Sequence, residues 1–145
     1  MKQNIDILDY YLDDFAVDPV RAHPADAGLD LRSPSDYIIT SRSSVVIDTG
    51  VHINIPKGYA GFLKAKSGLN VKHNIIGTGL IDAGYTGPIV VKLYNLGNED
   101  YVIHAGDKII QMVLMRVATP ALRKVSVFEE VASDRGEGGF GSTGK

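Results

Sequence analysis

Cysteine is absent from the sequence, and basic residues are not in excess. Without cysteine the chain can form no disulfide scaffold and no zinc–cysteine site, and it has no thiolate nucleophile. Its 15 lysine and arginine residues are outnumbered by 17 acidic residues, so it lacks the basic surface with which proteins bind nucleic-acid phosphates. We therefore expect no polynucleotide partner, and an anionic ligand would have to be bound by local groups.

Long hydrophobic runs are missing as well. Near the N-terminus every apolar run is interrupted by an aspartate, and these are Asp6, Asp9, Asp13 and Asp14. This pattern argues against a signal peptide and against a membrane span. With 145 residues the chain is long enough for one domain with its own core, and we expect a cytoplasmic protein without a membrane partner.

The apolar residues that are present indicate a β protein. They recur mostly at every second position or in short blocks between turn residues, which is typical of many short strands. Residues 51–55 predict a strand with one buried face, residues 89–94 a more fully buried strand, and residues 109–117 an interior strand. Residues 67–73 predict one or two helical turns with Ser67 as N-cap. Residues 5–15 fit a helix and a strand about equally well.

The glycine-rich C-terminus, residues 134–145, cannot build a core, so we divide the chain into a β domain, 1–133, and this segment. It nevertheless contains the guanidinium of Arg135, the ring of Phe140 and the hydroxyls of Ser142 and Thr143. Glycine allows the backbone to approach a ligand closely, arginine can bind phosphate through two N–H groups, and phenylalanine can lie flat on a base. A flexible lid and a disordered tail both have this composition, and the segment alone favours the tail.

Two further segments contain residues suited to nucleotide chemistry. Residues 79–87 place Asp82 and Tyr85 between glycines, which predicts a sharp hairpin whose backbone groups can read the edge of a base. Residues 64–69 place Lys66, Ser67 and Gly68 at a predicted helix start, where backbone donors favour phosphate. Taken singly, an ordinary turn and a solvated lysine pair explain these segments better.

Together, five segments resemble in order the five motifs of the trimeric deoxyuridine triphosphatases, or dUTPases. The matching segments are AGLDLRS at 27–33, KSGL at 66–69, GLIDAGYTG at 79–87, GDKIIQ at 106–111 and RGEGGFGSTG at 135–144. The resemblance covers nearly the whole chain, and five motifs in the correct order make it highly specific.

The resemblance implies an all-β subunit with a distorted jelly-roll (β-clip) fold and at most one short helix. It also implies a homotrimer with three active sites at subunit boundaries, where residues 134–145 of one subunit close a site built by others. The implied reaction is Mg2+-dependent hydrolysis of dUTP to dUMP and pyrophosphate by water that attacks the α-phosphorus. Such an enzyme limits uracil incorporation into DNA and supplies dUMP for thymidylate synthesis. Magnesium would be held mainly by triphosphate oxygens and water.

The resemblance also assigns roles to single residues. Asp82 is implied to be the base that orients and deprotonates the water, a role that depends on hydrogen-bond reach. Tyr85 would pack under the deoxyribose and exclude a 2′-hydroxyl, Phe140 would stack over the uracil, and Arg135 would reach the γ-phosphate. The other implied substrate-binding residues are Lys66, Ser67, Gly68, Ile76, Gly79, Leu80, Ile81, Gln111, Gly141, Ser142 and Thr143, with Asp30 and Arg32 as supporting residues.

The sequence departs from the family pattern at two of these positions. Lys66 stands where arginine is usual, so it supplies charge without a planar fork. An asparagine that is common in the uracil hairpin has no clear counterpart here, and Ile76 or Gly77 falls nearest.

Two other functions remain open. A dCTP deaminase would share the fold, but its chemistry needs a glutamate that the hairpin lacks. A non-catalytic trimer, in which the nucleotide switches the binding of an unknown protein partner, would also share the fold. The presence of Asp82, Tyr85, Arg135 and Phe140 argues against the loss of catalysis.

Overall fold

The computed structural model describes residues 5–131 and 133–141. Within these ranges the chain forms ten strands and one helix, which bears out the predicted all-β class with at most one short helix. The strands are β1 (Tyr10–Leu12), β2 (Gly28–Arg32), β3 (Tyr37–Ile39), β4 (Ser44–Asp48), β5 (Val51–Ile53), β6 (Tyr59–Lys64), β7 (Ile75–Asp82), β8 (Val90–Asn95), β9 (Tyr101–Ile103) and β10 (Lys108–Arg116), and the helix is α1 (Ser67–His73).

Six of the strands form one antiparallel sheet in the order β2-β10-β6-β7-β8-β4. The pairs β1-β5 and β3-β9 are separate two-stranded sheets, and both are antiparallel. Because β6 and β7 flank α1 in the chain and pair with each other, the second and third motifs belong to one long hairpin. β10 lies between β2 and β6, as expected for the interior strand predicted at 109–117.

The core is built mainly from isoleucine, leucine and valine contributed by both sides of the fold. Such β-branched and aliphatic side chains suit a pleated, half-buried surface, and each contributes about 1.5–3 kcal/mol when fully buried. The largest fully buried side chains are Leu31, Ile39, Ile47, Ile55, Leu63, Ile75, Ile89, Leu93, Ile103, Ile109, Ile110 and Met112.

Two predicted burial patterns are wrong. Residue 52 of β5 was expected to face solvent, but His52 is only 8% exposed because β1 pairs with β5 and places Tyr11 over it. β8 was expected to be more fully buried, but its burial alternates, with Val91 and Leu93 inside and Lys92 exposed. Only one face of β8 therefore meets the core.

The helix covers residues 67–73, as predicted, but the predicted N-cap is wrong. Lys66, not Ser67, is the N-cap, and it has extended backbone angles and no side-chain capping hydrogen bond. Asn74 ends α1 in the left-handed conformation with φ of 58°. Residues 5–15, for which helix and strand were both open, contain the short strand β1.

The chain leaves the sheet after β10. Residues 118–131 and 133–137 are exposed and contain no strand or helix. No helix within the described residues is long and apolar enough to cross a membrane.

Candidate active site

Asp82 is the last residue of β7 and pairs with Ala60 near the start of β6. Side chains of β7 alternate, so Leu80 and Asp82 are exposed whereas Ile81 is buried. A Cβ at Gly79 would lie only 2.9 Å from Leu63, which explains the glycine there. At this end of β7, positions 79 and 81 can therefore offer a ligand only their backbone groups.

Tyr85 is fixed beside Asp82 by a tight turn. Its N–H donates to the carbonyl oxygen of Asp82 (3.2 Å), and its hydroxyl donates to the carbonyl oxygen of Pro88 (2.9 Å). Gly84 has a φ of +83°, which favours glycine, and a Cβ at Gly87 would clash with the hydroxyl of Tyr85. The glycine spacing of this segment thus encodes the position of the ring.

A shallow cleft of about 230 Å³ lies at this turn. It brings together four of the predicted site residues, Leu80, Ile81, Asp82 and Tyr85. Pro88 and Val90 complete its lining.

A second group of predicted residues surrounds the carboxylate of Asp30 on β2. The side chain of Asp30 is 4% exposed, and its Oδ1 accepts a hydrogen bond from Nζ of Lys66 at 2.5 Å. Nζ of Lys108 lies 3.6 Å from its other oxygen. Two ammonium groups therefore compensate one buried carboxylate, and Lys66 is held at the entrance to α1.

Gln111 joins the same group from β10. Its register pairs it with Asp30 on one side and Lys64 on the other, and its Nε2 donates to the carbonyl oxygen of Ala65 (3.1 Å). A Cβ at Gly28 would clash with the amide oxygen of Gln111, so the glycine of the first motif makes room for this side chain.

The remaining predicted residues of this region lie nearby. Ser67 and Gly68 are exposed in the first turn of α1. Arg32 donates to the carbonyl oxygen of Gly106 (3.4 Å), and its Nε is buried without a hydrogen-bond partner among the described residues. We call Asp30, Lys66, Ser67, Gly68 and Gln111 the phosphate-side cluster.

The Asp82 cleft and the phosphate-side cluster lie at opposite ends of the β6–β7 ladder. Lys64 pairs with Thr78 and Ala60 pairs with Asp82, so the two ends are four residues, or about 13 Å, apart. Ile76 lies beyond Thr78 and opposite Tyr94, farther still from Asp82. A single chain therefore does not unite all the predicted site residues around one point.

The C-terminal residues are not joined to either group within the described chain. Nε of Arg135 donates to the carbonyl oxygen of Gly138 (2.5 Å) in a local turn. Phe140 is fully exposed, and Gly141 has a φ of +89°. Ser142 and Thr143 lie outside the described residues.

No group of three or more His, Asp or Glu side chains converges on a point where it could hold a metal ion, within ranges 5–131 and 133–141. Asp30, the buried carboxylate of the phosphate-side cluster, is already paired with two lysines. The donor set suits an ion that arrives with phosphate and water ligands, because Mg2+ commonly keeps several waters and binds substrate phosphates.

Sequence reasoning did not identify His52 as a candidate. Its Nδ1 lies 2.8 Å from the carbonyl oxygen of Thr86, and its Nε2 lies 3.0 Å from Oδ1 of Asp13. Its ring stacks on that of Tyr11 with centroids 4.1 Å apart. A lone histidine between Val51 and Ile53 gives no sequence signal for these contacts, because they depend on distant segments.

The environment of His52 favours its protonated form. The hydrogen bond to the carbonyl of Thr86, and then the carboxylates of Asp13 and Asp48, raise the pKa of His52 above its ordinary value of 6.5, while burial opposes the rise. Because a carbonyl and an ionised carboxylate only accept hydrogen bonds, both ring nitrogens act as donors here.

Comparisons with known proteins point to one family. A family model described as dUTPase matches residues 15–144. The deoxyuridine 5'-triphosphate nucleotidohydrolase of Mus musculus is 39% identical over 135 residues, which are 92% of this chain and 82% of the mouse protein.

Solved structures of phage proteins have the same fold. A mutant dUTPase of Staphylococcus bacteriophage 80alpha with dUpNHpp superposes with a TM-score of 0.89 at 32% identity, over 97% of this chain and 100% of that one. A mutant dUTPase from phage phi11 of S. aureus, whose structure shows the coordination of a structural Mg(II) ion, superposes with a TM-score of 0.80 at 30% identity, over 86% of this chain and 100% of that one. The predicted dUTPase-type jelly roll is thereby confirmed.

Proposed function

The chain belongs to the dUTPase family and hydrolyses dUTP to dUMP, and we propose that Asp82 activates the attacking water in sites shared between subunits of a homotrimer. We infer a shared site from the distance between the Asp82 cleft and the phosphate-side cluster along the β6–β7 ladder. Asp82 must reach the water at the α-phosphorus, whereas the phosphate-side cluster serves the triphosphate. A gap of about 13 Å within one chain closes when the Asp82 cleft of one subunit faces the phosphate-side cluster of its neighbour.

Asp82 is placed for general-base catalysis. Its exposed carboxylate lies at the rim of the cleft, where a water can hydrogen bond to it. As the water attacks in line, its oxygen bonds to the α-phosphorus and its proton passes to Asp82. The bond from the α-phosphorus to the bridging oxygen breaks, and pyrophosphate leaves. Positioning and proton acceptance together account for the role of Asp82.

Substrate selection depends on the end of β7 and the turn that follows it. Tyr85, held by Pro88 and Gly87, fills the space in which a ribose would place its 2′-hydroxyl. The backbone groups of residues 79–81 pair with uracil, and cytosine would leave buried groups unpaired at a cost of about 1–3 kcal/mol per group.

The triphosphate is bound by the phosphate-side cluster. Lys66 supplies positive charge, Ser67 and Gly68 lie exposed at the start of α1, and Gln111 adds an amide. Asp30 orients Lys66 and Arg32 supports the same end of β2. Magnesium would be held by phosphate oxygens and water, and it would neutralise charge that develops on the phosphates. The role of Ile76 remains a prediction from the resemblance.

Residues 134–145 act as a lid in this proposal. The exposed positions of Arg135 and Phe140 leave both side chains available to a neighbouring subunit's ligand. Phe140 stacks on the uracil and Arg135 binds the γ-phosphate, with Gly141, Ser142 and Thr143 nearby. Glycines allow the segment to change conformation when it closes.

Release of pyrophosphate from dUTP, dCTP, dTTP and UTP tests the function. We expect pyrophosphate to be released from dUTP at least about a hundred-fold faster than from the other three nucleotides. Each of those nucleotides would leave buried groups of the site unpaired or would displace them. Ammonia release from dCTP would identify a deaminase, and nucleotide binding without hydrolysis would identify the non-catalytic module.

A further inference from the structure

The loop at residues 83–89 carries Tyr85 and is anchored by its backbone near its two ends. Tyr85 donates its N–H to the carbonyl oxygen of Asp82 at 3.2 Å, and Ile89 donates its N–H to that of Val51 at 2.9 Å. These hydrogen bonds fix where the loop leaves β7 and where it rejoins the sheet. They leave the residues between them to be positioned by side chains.

Two side-chain hydrogen bonds hold the middle of this loop. One is internal, from the hydroxyl of Tyr85 to the carbonyl oxygen of Pro88. The other comes from outside the loop, because Nδ1–H of His52 donates to the carbonyl oxygen of Thr86 at 2.8 Å. His52 therefore ties the loop to β5 at the residue that directly follows Tyr85.

His52 is itself held in place. Its Nε2–H donates to Asp13, whose own N–H donates to the carbonyl oxygen of Gly50 at 2.9 Å. The stacked ring of Tyr11 covers one face of the imidazole, with planes only 11° apart. Because these contacts fix the imidazole ring, its hydrogen bond can hold the Thr86 carbonyl in place.

We propose that His52 is a positioning residue for substrate selection, which fixes the Thr86 carbonyl and so holds the Tyr85 ring where it excludes a ribose 2′-hydroxyl. The inference rests on the proposed role of Tyr85. Tyr85 is 44% exposed as a residue, so packing alone does not fix its ring. A displacement of about 1 Å at a substrate-positioning group is enough to change a rate substantially.

A purely structural role for His52 has a different signature. If His52 only stabilised the fold, its loss would lower the fraction of active enzyme and reduce turnover of dUTP and UTP by the same factor. A positioning role changes the ratio of the two kcat/KM values, because a displaced Tyr85 admits UTP and binds dUTP less well.

The experiment measures kcat/KM for dUTP and UTP in the full-length wild-type protein, His52→Leu and His52→Asn. We expect His52→Leu to lower the dUTP-to-UTP ratio roughly tenfold, through a higher KM for dUTP and faster UTP hydrolysis. His52→Asn retains an amide donor near the position of Nδ1, which faces the Thr86 carbonyl, and should restore most of the ratio. His23→Leu is the matched control, since His23 also lies 3.0 Å from an aspartate, Asp26, but on the exposed surface. It should keep the wild-type ratio.

Tyr85→Ala, measured in parallel, separates the proposed role of Tyr85 from the positioning role of His52. If Tyr85→Ala lowers the ratio and His52→Leu reduces both substrates equally, the positioning role of His52 is wrong. If Tyr85→Ala leaves the ratio unchanged, the proposed role of Tyr85 fails and the inference fails with it. Should His52→Leu not fold, His52→Gln replaces it, because its amide lies near the position of Nε2, which faces Asp13, and leaves the Thr86 carbonyl without its donor.

Discussion

Asp82 is the one acidic residue that lines the cleft at the end of β7, among the residues that the structure describes. Its neighbours there are apolar or aromatic, so no second carboxylate of this cleft can take over the proton in the proposed reaction. The chemical role therefore depends on a single side chain, and a substitution that keeps its shape tests that role directly.

Asp82→Asn should lower kcat by about 10²–10⁴-fold, the usual contribution of a general base, because the amide cannot accept the proton from water. Binding of dUpNHpp should change little, since the amide has nearly the same shape. Single-turnover hydrolysis and titration calorimetry measure the two effects. Asp6→Asn, a substitution at an exposed residue of the N-terminal segment, is the control and should hydrolyse dUTP normally. Normal hydrolysis by Asp82→Asn would show that the base is another group.

At the scale of secondary-structure elements, the sequence predicted the features that depend only on neighbouring residues. The tight turn after Asp82 was predictable because Gly84 and Gly87 are required by a positive φ and by the Tyr85 hydroxyl. The prediction of a sharp hairpin at 79–87 is wrong, because residues 78–82 pair with β6 and β7 pairs with β8 only at residues 75–77. The burial of His52 was not, because it depends on the pairing of β1 with β5, and nothing near residue 52 encodes that pairing. The alternating exposure of β8 likewise depends on which of its faces the sheet presents to the core.

The pairing of β2 with β10 predicts an effect of Gly28→Ala. The new methyl group would displace the amide of Gln111, which is the end of a flexible side chain, and break its hydrogen bond to Ala65. We expect the free energy of unfolding to fall by only about 1 kcal/mol, while KM for dUTP rises several-fold.

A double-mutant cycle tests whether Gly28→Ala changes KM by displacing Gln111. If the methyl group acts through Gln111, the variant Gly28→Ala/Gln111→Ala should have the same KM as Gln111→Ala alone. Additive effects of the two substitutions would show that Gly28 influences binding in another way.

The link from β1 through His52 to the loop after β7 predicts a pH dependence of stability. The pKa of His52 is raised above 6.5 in the folded protein, so its contribution is fully present below pH 6.5 and is lost as the pH rises through the folded pKa. The difference in melting temperature between wild type and His52→Gln should thus be largest near pH 6 and shrink by a few degrees towards pH 9. Thermal unfolding at each pH measures it. A difference that grows with pH would contradict the protonated assignment, and His23→Gln should show little difference throughout.

At the scale of the whole molecule, the five motifs predicted a set of site residues, whose contact with the nucleotide stays a prediction, but not how far apart these residues lie. The distance between Asp82 and the phosphate-side cluster follows from strand register, which the motifs do not contain. Arg135 and Phe140 were predicted as part of a lid, and in the described chain they contact neither group. In the proposed function, assembly into a trimer brings the three parts together.

Mixing two inactive variants tests that assembly. Deletion of residues 134–145 should abolish most hydrolysis without changing the melting temperature, because the described part of this segment, residues 134–141, lies outside the sheet. When this variant and Asp82→Asn are unfolded, mixed equally and refolded, about a quarter of the sites should combine an intact Asp82 with an intact lid from another subunit. Recovery of roughly that share of dUTP hydrolysis supports shared sites. No recovery, with mixed trimers verified by mass, would mean that Asp82 and the lid act from the same subunit.

The exposed segment after β10 also determines how a protease attacks the protein. Arg123, Lys124 and Arg135 lie where backbone is accessible, so trypsin should cut there before it cuts any strand. The trimmed protein should keep its aliphatic interior and its unfolding transition, but it would lack the segment that we propose as a lid. If that proposal holds, cleavage of a few exposed bonds should inactivate the enzyme while its unfolding transition remains unchanged.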